Sequence, residues 1–270
     1  DVTVVDARAD FEWTPNIHEI LSGVKDRAGV VLPRADCVER YGHSFVHDVV
    51  THIDRDSGTV SCEGGLSLPY DACLIAAGSQ RTTFGIEGVE EHALGLRLVD
   101  DAVRIAERLD KLAKRKRRAS IVIVGGGVSG VEALGEILRR RGQGDEFNIH
   151  IVELESRLLE QQPRGLADDV IQRLEPYPVS VHTNASVAQV NARSVVLTSG
   201  EKLTADLCIW SAGMTLPDFL RDSGLNAADD DWLPVDDTLQ SLYADNIFVS
   251  GDCASLPLPI RKQAYYAMDM

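Results

Sequence analysis

Three glycines in the middle of the chain are spaced in a way that suits the binding of a phosphate-containing ligand. Gly125, Gly127 and Gly130 form a GxGxxG pattern directly after the apolar run 120–124 and directly before a predicted helix. In this setting the first glycine permits a tight turn, the second lets a pyrophosphate approach the backbone, and the third lets helix and strand pack closely. The helix N-terminus then offers unpaired N–H groups to the anion. The spacing therefore predicts a dinucleotide-binding turn.

A carboxylate at the end of the next strand extends this pattern. Residues 148–152 are predicted as a second buried strand, and Glu153 ends it. An acidic residue at that point can accept hydrogen bonds from the ribose of an adenosine. Glu155 adds a negative charge that would repel the 2′-phosphate of NADP, whereas Arg157 could turn towards that phosphate. NADH is therefore the favoured nucleotide, and NADPH stays open.

Hydrophobic patterning predicts the elements that position these residues. The run 120–124 is short and rich in β-branched residues, which is typical of a buried parallel strand. Val131, Leu134 and Leu138 recur at helical spacing, so residues 131–141 are predicted as a helix with Gly142 as its C-cap. Strand, glycine turn, helix and second strand follow the order of a Rossmann-like unit.

The first residues of the chain repeat the end of this arrangement. Residues 1–5 are predicted as an apolar strand, and Asp6 ends it as Glu153 ends the later strand. No glycine turn comes before Asp6, although a βαβ unit takes about 30 residues. We therefore expect about that much of a first nucleotide-binding domain to be absent from the sequence.

Composition and charge exclude several kinds of partner and site. The 270-residue chain has a formal charge of −15, which repels nucleic-acid phosphates, so no nucleic-acid partner is expected. No apolar run approaches the roughly 20 residues of a membrane helix, and no signal peptide is recognisable. The five cysteines lack the spacing of a zinc site or a dithiol pair, so no metal site is predicted. Free thiols of this kind indicate a reducing, cytoplasmic compartment.

One strongly basic stretch admits two interpretations. A lipid-binding patch would use such a run of cations. The solvated end of a helix is favoured, because acidic residues lie at the other end of the same predicted helix, as the helix dipole prefers. The cations are Lys111, Lys114, Arg115, Lys116, Arg117 and Arg118.

Beyond these patterns, the chain resembles the flavoprotein pyridine-nucleotide oxidoreductases, most closely the type II NADH:quinone oxidoreductases. The resemblance covers essentially all 270 residues and follows the order of motifs in that family. Glu132, which follows the glycine turn, is typical of the family's NADH domain. Six further segments carry the similarity: 11–23, 48–54, 70–79, 84–93, 207–213 and 246–254.

The resemblance implies an α/β fold of two doubly wound, Rossmann-like nucleotide-binding domains, with the NADH domain inserted in the FAD domain. The FAD domain would comprise residues 1–99 and 235–270, without its first βα unit, and the NADH domain residues 100–234. Glu132 would be the catalytic residue that orients the nicotinamide. The cofactor-binding residues would be Asp6, Val50, Ala77, Gly78, Ser79, Gly125, Gly127, Gly130, Glu153, Ala212, Gly213, Gly251, Asp252 and Ala254.

The implied activity is the transfer of a hydride from NADH to FAD and of electrons onward to an acceptor, for which a quinone is expected. Tyr265 and Asp269 stand where the family usually has glutamines near the quinone, and Gln263 is out of register. A reductase of a soluble carrier such as ferredoxin therefore stays open, as does a flavin- or NAD(H)-binding sensor without turnover. Also open are a homodimer and a location on the inner face of a membrane, through a C-terminal part absent from the sequence.

Overall fold

The computed structural model describes residues 1–140, 147–227, 230–258 and 262–270. Short 3-10 turns lie at Thr14–Asn16, Arg27–Gly29 and Gly251–Cys253. The helices of the described residues are α1 (Glu19–Ser22), α2 (Arg34–Glu39), α3 (Val89–His92), α4 (Val99–Ala113), α5 (Val128–Arg140), α6 (Arg164–Leu174), α7 (Asp218–Arg221) and α8 (Ala264–Asp269). The strands are β1 (Thr3–Asp6), β2 (Asp10–Glu12), β3 (Val31–Pro33), β4 (Ser44–His47), β5 (Val50–Asp54), β6 (Thr59–Cys62), β7 (Ser67–Pro69), β8 (Cys73–Ile75), β9 (Gln80–Arg81), β10 (Ala93–Gly95), β11 (Ala119–Val124), β12 (Phe147–Val152), β13 (Val179–His182), β14 (Val187–Asn191), β15 (Ser194–Leu197), β16 (Lys202–Thr204), β17 (Leu207–Trp210), β18 (Met214–Thr215), β19 (Leu233–Pro234), β20 (Ile247–Val249) and β21 (Ala254–Ser255).

Two compact units make up the described chain. Unit 1 comprises Asp1–Phe11, Leu32–Gln80 and Met214–Met270, and unit 2 comprises Glu12–Val31 and Arg81–Gly213. Each unit therefore contains segments that are distant in sequence. The assignment of an FAD domain to residues 1–99 and 235–270, and of an NADH domain to residues 100–234, stays a prediction.

A five-stranded parallel sheet forms the centre of unit 2, in the order β10-β17-β11-β12-β13. All residues of β11 are buried, which is typical of a parallel strand that is covered on both faces. Because side chains alternate along a strand, Ile121 and Ile123 enter the core on one face. Val122 and Val124 enter a second core on the other face.

Helices cover one face of this sheet, and a small antiparallel sheet covers the other. The buried residues of α4 and α5 recur at helical spacing, as with Ile105 and Leu109 or Leu134 and Leu138, so each helix turns an apolar stripe towards the strands. The opposite face packs against β14, β15 and β16. Covered in this way, the sheet holds the loops at the carboxyl ends of β11, β12 and β17 in fixed positions.

Unit 1 contains parallel strand pairs and a three-stranded antiparallel sheet. β1 pairs with β4 and β8 pairs with β20, both in parallel, while β5, β6 and β7 are antiparallel. Ile75 of β8 is buried in one core with Ile247 and Val249 of β20. Since the two strands are parallel, the segments that follow them, 76–79 and 250–254, leave the sheet at the same edge.

The elements predicted around the glycine turn are present, with small differences in their bounds. The predicted strands 120–124 and 148–152 correspond to β11 and β12, and the strand predicted at 1–5 corresponds to β1. The helix predicted at 131–141 begins earlier, at Val128, because glycine within its first turn lets the helix start directly against the strand end. Arg141 and Gly142, the predicted helix end and C-cap, lie outside the described residues.

Candidate nucleotide-binding sites

The glycine turn of unit 2 lies at the carboxyl end of β11. Gly125 has φ +105°, a conformation that L side chains rarely adopt. A Cβ atom on Gly130 would lie 1.9 Å from the carbonyl oxygen of Gly125, so only glycine allows this close approach of α5. A Cβ atom on Gly127 would meet no heavy atom within 4 Å. The turn is thus closely packed at its first and third glycines and open at its second, where a pyrophosphate could reach the free N–H groups of the helix start.

Glu153 is held against this turn by two backbone hydrogen bonds. The N–H of Gly126 donates to its Oε2 at 2.6 Å, and the N–H of Glu155 donates to its Oε1 at 2.8 Å. The register pairs Val124 with Val152, so the two strands end at the same level and the turn and the acid meet there. Each carboxylate oxygen has a further lone pair, which fits it to accept from ribose hydroxyls.

A second loop meets the glycine turn at the end of β17, the neighbour of β11 in the sheet. The hydroxyl of Ser211 donates to the carbonyl oxygen of Gly125 at 3.2 Å. Gly213 has φ +72°, and a Cβ atom there would lie 2.3 Å from the ring of Phe84. A Cβ atom on Gly125 would lie 3.0 Å from the backbone nitrogen of Ala212, so the predicted Ala212 lies beside the turn, whereas the predicted Gly213 packs against Phe84. Sequence reasoning missed Ser211, although a serine directly after a buried strand is a signal that could have identified it.

Arg157, the sequence candidate for a 2′-phosphate contact, is engaged by the loop that follows it. Nε of Arg157 lies 3.2 Å from Oε2 of Glu160 within that loop. These contacts accompany a left-handed conformation at Leu159, φ +53°, so the cation stabilises the loop. Its guanidinium donates to four carbonyl oxygens, those of Leu158 at 3.3 Å, Leu159 at 2.8 Å, Glu160 at 2.6 Å and Gln162 at 2.9 Å.

Glu132, the predicted catalytic residue, lies on the second turn of α5, with its side chain 42% exposed. Nδ1 of His18 lies 3.5 Å from Glu132 Oε2. Burial raises the pKa of the Glu132 carboxyl, His18 opposes that shift, and the like charge of Glu136 adds to it. A carboxylate here can accept from the carboxamide of a nicotinamide, and this role stays a prediction.

In unit 1, the ends of β8 and β20 bring two groups of predicted residues together. The hydroxyl of Ser79, which is 6% exposed, donates to Asp252 Oδ2 at 3.0 Å. The turns beside them contain Gly78 at φ +67° and Gly251 at φ +77°. A carboxylate fixed in this way can accept from the hydroxyls of a ribityl chain. Of the predicted alanines in these turns, Ala254 is buried and Ala77 is exposed.

Asp6 and Val50 lie on other strands of unit 1, at the end of β1 and the start of β5. The carboxylate of Asp6 pairs with Nη2 of Arg34 at 3.1 Å and accepts from the N–H of Arg8 at 2.8 Å. Arg34 also donates to the carbonyl oxygen of Asp10 at 3.2 Å. No pattern in the sequence singles out Arg34, because its contacts come from the fold of the unit. The proposed role of Asp6 and Val50 in FAD binding stays a prediction.

Lys262 is a further residue that sequence reasoning missed. Its Nζ donates to the carbonyl oxygen of Ala254 and lies 4.5 Å from the centre of the Trp232 ring. Burial lowers the pKa of this ammonium, and the charge of Asp252 opposes the shift. Lys262 therefore places a cation beside the second predicted FAD segment.

Other kinds of chemistry find little support in the described residues. Within 1–140, 147–227, 230–258 and 262–270, no group of three or more His, Cys, Asp or Glu side chains could hold a metal ion. No helix in those ranges is long and apolar enough to cross a bilayer. All five cysteines are free, and burial raises the pKa of Cys208 to about 12, which disfavours the reactive thiolate.

Comparison with known proteins gives one family for the whole chain. The family model described as "Pyridine nucleotide-disulphide oxidoreductase" matches residues 1–270. Among curated proteins, the type II NADH:quinone oxidoreductase of Haemophilus influenzae is 28% identical over 316 residues, which cover 99% of this chain and 71% of that protein.

Two solved structures share the fold. NDH2 of Plasmodium falciparum in complex with NADH has a TM-score of 0.84 at 23% identity, covering 95% of this chain and 60% of that one. The covalent putidaredoxin reductase–putidaredoxin complex gives 0.84 at 20% identity, covering 100% of this chain and 66% of that one. These likenesses confirm the predicted α/β fold with Rossmann-like nucleotide-binding domains. The chain spans 60% to 71% of the length of the three proteins.

Proposed function

The chain belongs to the pyridine nucleotide-disulphide oxidoreductase family, and from that premise we propose that the protein passes a hydride from NADH to FAD and the electrons on to a quinone. Membership confirms the resemblance read from the motifs and assigns the protein to the FAD-dependent NAD(P)H oxidoreductases. The finer proposal depends above all on one observation in unit 2. Glu153 is held on a glycine turn that is open at Gly127.

The residues of the chain bind and orient, and the cofactors supply the redox chemistry. FAD, when bound, supplies a ring that accepts a hydride and releases electrons, so side-chain acid–base chemistry has a small part. In unit 2, the turn and the start of α5 bind the pyrophosphate, Glu153 accepts from the adenosine ribose, and Glu132 orients the nicotinamide. In unit 1, Asp252, oriented by Ser79, accepts from the ribityl hydroxyls.

NADH is the nucleotide that the charges of this site favour. The carboxylates of Glu153 and Glu155 lie at the end of β12, where they would repel a 2′-phosphate. Arg157 does not offset them, because its guanidinium is held by the carbonyl groups of residues 158–162. We therefore propose NADH as the physiological donor.

A quinone is the proposed acceptor. The Haemophilus relative is named for quinone reduction, and α8 presents exposed aromatic and thioether side chains. Tyr265 is 69%, Tyr266 40% and Met268 51% exposed. Apolar and aromatic side chains are better suited to contact a quinone ring than to bind the charged surface of a protein electron carrier. Peripheral contact with a membrane surface is part of the same proposal, because long-chain quinones are dissolved in membranes.

An anaerobic titration tests the proposal. NADH and then NADPH are added to the complete, flavin-loaded protein while the flavin absorbance is recorded. We expect NADH to bleach the flavin promptly and NADPH to do so slowly. Addition of a short-chain quinone to the reduced protein should then restore the absorbance, whereas a ferredoxin should not. A flavin that resists both nucleotides would contradict the proposal and favour a sensor without turnover.

A further inference from the structure

His18 and Glu132 come together where α1 packs against α5 in unit 2. Nδ1 of His18 lies 3.5 Å from Oε2 of Glu132, and the two side chains are 17% and 42% exposed. The two residues are more than a hundred positions apart, so the contact exists only in the folded unit. The predicted nicotinamide-orienting carboxylate thus has a basic neighbour on a different element.

The imidazole projects from a firmly anchored segment. Ile17 and Ile20 are each 5% exposed, and Leu21 is 0% exposed. The N–H of Leu21 donates to the carbonyl oxygen of His18 at 2.9 Å, and the carbonyl oxygen of Leu21 accepts from Nη1 of Arg140 at 2.9 Å. Since Arg140 belongs to α5, the backbone of His18 is fixed relative to the helix that carries Glu132.

A second carboxylate, one turn along α5, repels that of Glu132. Oε1 of Glu136 pairs with Arg139 at 3.3 Å, while Oε2 is buried without a hydrogen-bond partner among the described residues. Burial raises the pKa of Glu132, His18 lowers it and Glu136 raises it. Without His18, the carboxylate of Glu132 would be left with a like charge, and it would turn away or take up a proton.

We propose that His18 is a positioning residue that holds the carboxylate of Glu132 in the orientation that receives the carboxamide of a nicotinamide. The inference rests on the proposed function, since it assigns His18 to the same site. His18 acts through Glu132 and need not touch the nucleotide itself. A misplacement of an orienting group by about 1 Å is enough to weaken the geometry on which such a site depends.

Equilibrium binding to the complete, flavin-loaded protein tests this role. Dissociation constants are measured for NAD⁺ and for ADP-ribose, which has the same adenosine and pyrophosphate but no nicotinamide. We expect His18→Leu to weaken NAD⁺ about tenfold and to leave ADP-ribose unchanged within about twofold, because only the nicotinamide end depends on Glu132. His18→Gln, whose amide can still donate to the carboxylate, should restore most of the NAD⁺ affinity.

A matched control and the pattern of losses decide the result. His92→Leu removes another partly buried histidine of unit 2 that lies 3.7 Å from a glutamate, and it should change neither constant. Equal weakening of NAD⁺ and ADP-ribose by His18→Leu, or no weakening, would overturn the positioning role while leaving the nucleotide site intact. If the wild-type protein bound neither NAD⁺ nor ADP-ribose, the proposed nucleotide site itself would be wrong, and so would the role of His18.

A spectroscopic measurement reports on the contact without any nucleotide. With ¹³C-labelled glutamate side chains, NMR titration should show a higher pKa for Glu132 in His18→Leu than in the wild type, because the histidine lowers it. His18→Gln should give a value nearer the wild type if hydrogen bonding, rather than charge alone, holds the carboxylate. An identical titration curve in all three proteins would overturn the proposal.

Discussion

The backbone N–H of Gly126 donates to Oε2 of Glu153 across 2.6 Å, so the acid that ends β12 lies directly on the glycine turn that ends β11. The parallel register explains the meeting, because the N–H of Gly125 also donates to the carbonyl oxygen of Val152 at 2.8 Å. A Cβ atom on Gly126 would lie 2.9 Å from Glu153 Oε2. The adenosine end of the proposed NADH site is thus fixed by backbone contacts within the chain.

Glu153→Gln should narrow the preference for NADH over NADPH. The amide oxygen can still accept from the N–H of Gly126, so the glycine turn should keep its shape. The amide nitrogen cannot accept from the N–H of Glu155, and the negative charge that repels a 2′-phosphate is gone. We expect NADH affinity to fall by about 3- to 10-fold, the scale of the difference between a hydrogen bond to a charged group and one to a neutral group, with a smaller loss for NADPH. Isothermal titration calorimetry with both nucleotides measures the change.

The control for this substitution is Glu175→Gln, an exposed glutamate at the end of α6 in the same unit. It changes the net charge equally and should alter neither affinity. If Glu153→Gln lowered the affinities for NADH and NADPH by the same factor, the carboxylate would not distinguish the ribose hydroxyl of NADH from the 2′-phosphate of NADPH.

Alanine at two of the glycines should separate binding from folding. At Gly130, a Cβ atom would lie 1.9 Å from the carbonyl oxygen of Gly125, so Gly130→Ala must push α5 away from β11. We expect it to lower the free energy of unfolding by about 2 kcal/mol or more, as overpacking does. At Gly127 the same methyl group meets no atom within 4 Å, so Gly127→Ala should unfold like the wild type.

Gly127→Ala should weaken nucleotide binding although it leaves the stability of the protein unchanged. The methyl group of Gly127→Ala would occupy the space through which a pyrophosphate approaches the backbone, and NADH affinity should fall about tenfold or more. Urea unfolding and NADH titration on the same preparations measure both effects. Normal NADH binding by a stably folded Gly127→Ala would place the pyrophosphate elsewhere.

Asp252→Ala should weaken FAD binding without unfolding the protein. The carboxylate accepts from the hydroxyl of Ser79 at 3.0 Å and is placed to accept from a ribityl chain, so its removal costs at least one charge-assisted hydrogen bond. We expect the dissociation constant for FAD to rise by about tenfold or more. Fluorescence of flavin released on dilution of the complete protein measures it. Asp245→Ala, at an exposed position of unit 1, should release no more flavin than the wild type.

Local patterns in the sequence predicted the strands, the turn and the helix around Gly125. The glycine turn, its two strands and Glu153 lie within one continuous stretch, where strand length, glycine spacing and helix periodicity act over short distances. Each of these features requires particular residue types at particular positions. The roles of Gly125, Gly127 and Gly130 in the turn can therefore be interpreted from residue types and spacing.

Contacts between distant segments could not be predicted in this way. His18 meets Glu132, and Arg34 meets Asp6, only because separate elements pack together, and neither pair has a characteristic spacing. The contacts of Arg157 could not be predicted either, since its partners are backbone carbonyl groups, which every residue type supplies. Such contacts follow from tertiary packing, which single-residue patterns do not record.

The basic run after α4 contributes to the stability of unit 2 through Asp206. Nη1 of Arg115 and Nη1 of Arg117 lie 2.8 and 2.9 Å from its carboxylate oxygens, and the N–H of Ser120 donates to it at 3.0 Å. The Asp206 side chain is 8% exposed. Burial alone would raise its pKa, but the hydrogen bonds from Arg117 and Ser120 and the charges of both arginines outweigh burial and lower the pKa. The carboxylate joins the start of β11 to the strand beside it, β17.

Asp206→Asn should therefore destabilise unit 2 in a pH-dependent way. Both arginines reach solvent, at 40% and 60% exposed, so we expect a loss at the low end of the range, about 2 kcal/mol at pH 7. Because the folded-state pKa of Asp206 is depressed, its contribution is present above the ordinary value of 3.8 and is lost as pH falls through the lowered value. Urea unfolding at pH 7, 5 and 3 should show a constant difference from wild type at the first two and a smaller one at the third. The control is Glu91→Gln, which removes a 79% exposed partner of His92 and should lower the free energy of unfolding by less than about 0.5 kcal/mol at each pH. If the effect of Asp206→Asn did not depend on pH, packing rather than charge would explain the loss of stability.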